Sequence, residues 1–242
     1  MGMFDFITLQ FGSKEKQLIL HAKRVKEKDA QQEDRQGSAI WLAQHGTPES
    51  IVGLLGRFEM TYEHHMKDAQ EKDEVAELVR HLGEDAIRPL ESHLGRCKNF
   101  ARPLSLYQEL TDADRALAIV IKLLEKEAGS ELRPDKKRHL LIKLAEYTHS
   151  DAVAMALPFL TDFDEGVRYA AAEVLINNPE TDAIREGLLA ALGNRDEDST
   201  RFRGRLAEIA ASRRWALGDH VPYLTESTPA GFAVRGDTLV KA

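Results

Sequence analysis

Five short apolar stretches recur along the chain at nearly the same interval: SIVGLL, AIRPLE, IVIKLL, AVAMAL and AIREGL. Their anchor residues Ile51, Ile87, Val120, Val153 and Ile184 lie 36, 33, 33 and 31 residues apart, and a further step of 37 reaches Val221 in GDHVPYL. A near-constant period of this length is the mark of stacked repeats. One short helical hairpin cannot bury both of its faces, so it needs copies of itself as neighbours.

The repeating unit is plainest in the stretch 162–192. Val167, Ala170, Ala171, Val174 and Leu175 fall on one face of a helix. Asn177-Asn178-Pro179 ends it, because proline donates no backbone hydrogen bond and restricts the residue before it. Thr181 or Asp182 then caps a second helix with Ile184, Leu188, Leu189 and Leu192 on its inner side. The same register predicts core columns three and four residues after each anchor: Leu54, Leu90, Leu123, Ala156 and Gly187, then Leu55, Glu91, Leu124, Leu157 and Leu188. Glu91 breaks its column. The first helices are expected over roughly 31–45, 66–82, 101–110, 134–147, 164–177 and 199–216, with Arg102-Pro103 making the third irregular.

The run Asp162-x4-Val167-Arg168, followed by an Ala-rich helix and a second helix opening Asp182-Ala183-Ile184, resembles a HEAT repeat. The resemblance implies an all-α superhelix, a solenoid of about six stacked hairpins over 14–218. It also implies a hydrogen-bonded ladder between repeats using Asp162 and Arg168, with the second helices lining the concave side. Tetratricopeptide repeats share the length, but their Trp, Gly, Tyr, Ala, Pro pattern is absent. Composition agrees with a helical chain: aromatic residues are 7% of the total and Ala and Leu dominate the apolar set.

The ends depart from the repeat. Residues 1–13 include Met3, Phe4, Phe6, Ile7, Leu9 and Phe11, which reads as a plug over the exposed end of the array or as a docking segment. Phe6 stands where a myristoylation signal needs Ser or Thr. A helix over roughly 14–29 follows, with Leu18, Ala22 and Val25 inward and a basic outer face. In the tail, 219–242, Pro222 and Pro229 interrupt the pattern, and GFAVRGDTLVKA reads as two short strands around a Gly236-Asp237 turn. Arg235-Gly236-Asp237 spells an adhesion tripeptide, but the turn is the preferred reading.

The candidate residues for chemistry form no convincing set. Glu63-His64-His65 fails as a metal site, because adjacent helical side chains diverge by about 100°. His93 and Cys97 have ligand spacing, but two ligands do not make a site. No phosphate-binding glycine loop or nucleophile elbow is present. The expectation is therefore a protein that is not an enzyme and has no metal or cofactor. The single cysteine points to a reducing cytoplasm. No apolar run approaches the ~18 residues of a membrane span. A net charge of −7 argues against wholesale binding of nucleic acid. An acidic stretch over 59–91 and an arginine-rich one over 195–214 either polarise the array or simply solvate its helices.

What remains is a scaffold or adaptor that takes a helix or peptide of another protein in its concave groove. Opposite the core, two residues after each anchor, stand Gly53, Pro89, Lys122, Met155 and Glu186. Five after stand Gly56, Ser92, Glu125, Pro158 and Leu189. Their small or apolar character either opens a groove for a partner or lets crowded second helices pack. Two other classes stay open. One is a HEAT-like enzyme, since bilin lyases and alkylpurine DNA glycosylases share the repeat; the other is a nucleic-acid or membrane-surface binder using the basic ends.

Overall fold

The computed structural model describes residues 13–130 and 134–242, so the N-terminal apolar segment lies outside the described residues apart from Ser13. The chain is mostly helical, with one small sheet among the described residues. It divides into two compact units, Met1–Ala116 and Leu117–Ala242.

The first unit holds α1 (Lys14–Arg24), α2 (Gln32–His45), α3 (Pro48–Leu55), α4 (His65–Leu82), α5 (Ile87–Leu94) and α6 (Ala101–Leu110). Single-turn 3-10 segments, Gly56–Glu59 and Gly83–Ala86, join α3 to α4 and α4 to α5. The first helices α2, α4 and α6 pack in succession, as do α3 and α5. The periodicity dictates what they bury: Ile51, Leu54 and Leu55 from α3, Ile87, Leu90 and Leu94 from α5, Leu104 and Leu106 from α6. Glu91 keeps its carboxylate half-buried by accepting a 2.7 Å hydrogen bond from the buried Tyr107 hydroxyl. Pro103 falls in the first turn of α6, where its missing N–H is not needed, so that helix is regular.

The boundary between the units falls inside α7 (Ala113–Glu127). In the second unit come α8 (Pro134–Leu144), α9 (Ser150–Ala156) with the 3-10 turn Leu157–Thr161, α10 (Glu165–Asn177), α11 (Asp182–Leu192), α12 (Thr200–Ser212) and α13 (Val221–Glu226). Here too α8, α10 and α12 pack in succession, with the Leu157–Thr161 turn against α11. Asp164 caps α10, Thr181 caps α11 and Ser199 caps α12, each accepting from the backbone N–H three residues on.

The tail forms an antiparallel hairpin, β1 (Phe232–Arg235) and β2 (Thr238–Lys241), with Arg235 opposite Thr238. Gly236 takes φ +61° at the first turn position, which suits glycine. A two-stranded hairpin is marginal alone. This one leans on α12, buries Leu239, and fixes its turn by donors to Asp237: Leu217 N–H to the carbonyl and Gly218 N–H to the carboxylate, both 2.8 Å.

Two of the residues expected on an open inner face are buried: Pro89 and Leu189. Gly53 is small because of packing, since a Cβ there would lie 2.8 Å from the Ala22 Cβ of α1. Gly187, of the core column, is crowded as well, since a Cβ there would lie 2.7 Å from Leu157 Cδ2. In these columns, therefore, crowding accounts for part of the small-residue pattern.

Gly37 and Gly53 give a paired test. Gly37 lies within α2 with nothing near its missing side chain, so Gly37→Ala should stabilise by about 0.5–1 kcal/mol. Gly53→Ala should destabilise, because two helix backbones must separate. Thermal unfolding of both variants checks the contrast.

At the α1–α2 contact His21 stacks on Trp41 at 4.3 Å, and Trp41 on His45 at 4.9 Å. Burial, helped by Arg24, lowers the His21 pKa to about 4. Between that value and 6.5 the unfolded chain holds a proton that the folded chain does not, so stability falls as pH drops through this window. His21→Gln should flatten that part of the stability–pH curve, and the ring resonances of His21 should titrate near pH 4.

Candidate functional site

A cation stands at the fourth residue of four first helices: Arg35 in α2, Lys137 in α8, Arg168 in α10 and Arg203 in α12. Each reaches forward to the hairpin that follows. Arg168 donates to the carbonyls of Asp162 and Phe163 at 2.8 and 2.9 Å and grips Glu197, 29 residues on, with both carboxylate oxygens engaged at 2.8 and 2.7 Å. Lys137 pairs with Asp162. Arg203 donates to the Ser227 hydroxyl at 3.1 Å and carbonyl at 2.5 Å. Arg35 donates to the carbonyls of Glu27, Lys28 and Ala30 behind it and bidentately to Glu71 ahead, at 3.0 and 2.8 Å.

The resemblance implied a ladder of Asp162 with Arg168; Arg168 bonds the turn carbonyls, and its acidic partner is Glu197. The carboxylate of Asp162 turns back to Lys137 and accepts the Asp164 N–H at 3.0 Å. Sequence reasoning missed Glu197, Lys137, Arg35 and Arg203 because the repeats were aligned on their second helices. Alignment on the first helices would have shown the basic column.

The densest ionic cluster surrounds Glu71. Its two oxygens accept from Arg35, from Arg57 Nε at 3.1 Å and from Tyr62 Oη at 2.6 Å. Arg57, almost wholly buried, also holds Asp68 at 2.7 Å, and Lys72 completes that carboxylate. Burial alone would raise both carboxyls, but the hydrogen bonds outweigh it and leave both below their ordinary values. A saturated carboxylate of this kind is a structural tie and a poor general base. An apolar cleft of about 260 Å³ sits above it, between Val25, Ala39, Ile40 and Val75. Much of the negative charge read at 59–91 is therefore spent internally.

On the second-helix side of the second unit, Glu125, Met155 and Pro158 line one cleft of about 480 Å³ with Ala154 and Phe159. Glu186 and Leu189 line another of about 630 Å³, together with the 213–220 turn. Lys122 is exposed on α7. In the first unit Ser92 is exposed, while Gly56 is half-covered, with Lys26 3.6 Å from where its Cβ would be. On the first-helix side, Ile142 and Tyr169 line a cleft of about 720 Å³ rimmed by Arg138, Glu146, Glu173 and Arg201. Glu63, His64 and His65 are exposed where α4 begins. Several arginines of the 195–214 region have partners within the second unit: Arg205 grips Glu173 at 2.7 and 3.1 Å, and Arg213 reaches Glu180 at 3.3 Å.

No known protein family, curated protein or solved structure matches this chain. Among the described residues no helix is long and apolar enough to cross a membrane.

Arg168→Ala should lower stability by about 3 kcal/mol, because it strands the buried Glu197 carboxylate. The double variant Arg168→Ala, Glu197→Ala should recover part of that loss. Denaturant unfolding of the four chains gives the coupling directly.

Proposed function

We propose that the chain is a non-catalytic scaffold of HEAT-like repeats that binds a helix or peptide of another protein along its second-helix face. The observation that carries this reading is the cleft formed by Glu125, Met155 and Pro158. Residues selected from a repeat register alone come together there around a concave, largely apolar surface. A half-buried methionine between a proline and a glutamate offers adaptable contact area with a charged edge.

The HEAT-like assignment is supported by the recurrence of the fourth-position cation, which ties one hairpin to the next as that family's ladder does. A binding role is favoured over catalysis because the main titratable cluster neutralises itself at Glu71 and Asp68. Binding of nucleic acid is disfavoured by the engagement of Arg203, Arg205 and Arg213 with groups of their own unit.

The test is co-purification from the native cell with three chains: the parent, Met155→Glu with Glu186→Arg, and Ile142→Glu on the first-helix side. All three should melt alike. The first variant should lose the protein recovered with the parent, by ~10-fold or more, as expected for a charge placed at the centre of an interface. Ile142→Glu should keep it. The opposite pattern would move binding to the first-helix side and overturn the proposal.

A further inference from the structure

The 3-10 turn Gly56–Glu59 and the end of α5 bring Glu59, His93 and Cys97 together, with one ligand atom from each lying within 4.8 Å of the others. His93 and Cys97 share a face because the helical turn continues past Leu94: Cys97 N–H donates to the His93 carbonyl at 2.9 Å. Glu59 approaches from the preceding hairpin. Its carboxylate accepts the N–H groups of Lys98 and Asn99 at 3.1 and 3.3 Å, and its carbonyl takes the Asn99 side-chain amide at 3.3 Å. The carboxylate is therefore oriented before any ligand arrives.

The second observation is His93 Nε2. The side chain is 5% exposed, yet this nitrogen has no hydrogen-bond partner. It points at Glu59 Oε1 across 3.6 Å, too far for a hydrogen bond. A buried polar atom without a partner is costly, and such a group calls for an explanation. A metal ion accounts for it. At bond lengths near 2.0–2.3 Å, tetrahedral ligands stand roughly 3.3–3.7 Å apart, so the His93–Glu59 separation of 3.6 Å already fits, and the sulfur lies within 4.8 Å of both.

We propose that Glu59, His93 and Cys97 form a zinc-class divalent cation site that staples the 56–60 turn to the 93–99 turn, with the fourth position open. Mixed S, N and O ligands with borderline softness suit Zn²⁺. Cys97 binds as the thiolate and releases its proton to solvent; thiolate and carboxylate together balance the charge of the ion. Burial, opposed by Glu59, lowers the His93 pKa from its ordinary value. The open position would be filled by water or by a donor atom from another molecule.

Co²⁺ is the probe, because a sulfur-to-cobalt charge-transfer band in the near ultraviolet reports thiolate ligation, and Cys97 is the sole cysteine of the chain. Titration of the untagged, reduced, metal-free protein should give that band, saturating at one equivalent, and Zn²⁺ should abolish it stoichiometrically. Zn²⁺ should raise the melting temperature of the parent but not of Cys97→Ser. Glu59→Gln and His93→Gln should weaken binding by at least ~10-fold. Absence of the band in the parent overturns the proposal whatever the variants do. So does a band that keeps growing beyond one equivalent, or unchanged affinity in both His93→Gln and Glu59→Gln. Circular dichroism of the metal-free variants separates loss of a ligand from loss of the fold.

Discussion

A buried positive charge must be neutralised where it lies, and in this chain that requirement is used to connect neighbours. Arg168 is anchored behind by carbonyls of its own entry turn and ahead by Glu197. Arg35 does the same with Ala30 and Glu71. Apolar packing between helices tolerates sliding, because one leucine contact resembles another. A bidentate arginine–carboxylate pair does not, since its two parallel bonds fix both distance and direction. The packed leucines supply the driving force within each unit, and the ion pairs set the register in which they are spent.

The second helices show a different use of the same sequence period. Gly53 and Gly187 are small because Ala22 and Leu157 press on them. Met155, at the register position of Gly53, lines a cleft with Pro158. One sequence pattern thus serves close packing at two places and a concave surface at another. Side-chain size alone does not separate the two, because what differs is the neighbour that arrives from another hairpin.

Helices and their ends were legible because their signals are local. Apolar spacing, Thr181 as a cap, and the glycine turn at Gly236 are all decided within a few residues. Leu189 fell on the inner side by its apolar spacing and is buried, but the burial of Pro89 was not legible, since the register assumed one outward direction for helices whose neighbours differ. The partners of Arg168 and Arg35 escaped for a related reason: Glu197 and Glu71 lie 29 and 36 residues on, beyond any window that periodicity examines. The meeting of Glu59 with His93 and Cys97 was half visible. The spacing of four gave the pair on one turn, while the carboxylate depends on how two hairpins dock.

The reach of the fourth-position cations has a consequence for how the chain folds. Their partners lie 25, 29, 24 and 36 residues ahead for Lys137, Arg168, Arg203 and Arg35. The entropy of closing a loop grows only with the logarithm of its length, so these four closures cost almost the same. No junction within a unit waits on a distant one, and each can form as soon as the next hairpin does. Native-state hydrogen exchange should then proceed by opening of adjacent hairpins as blocks, with a lost ion pair loosening the block around it before the unit.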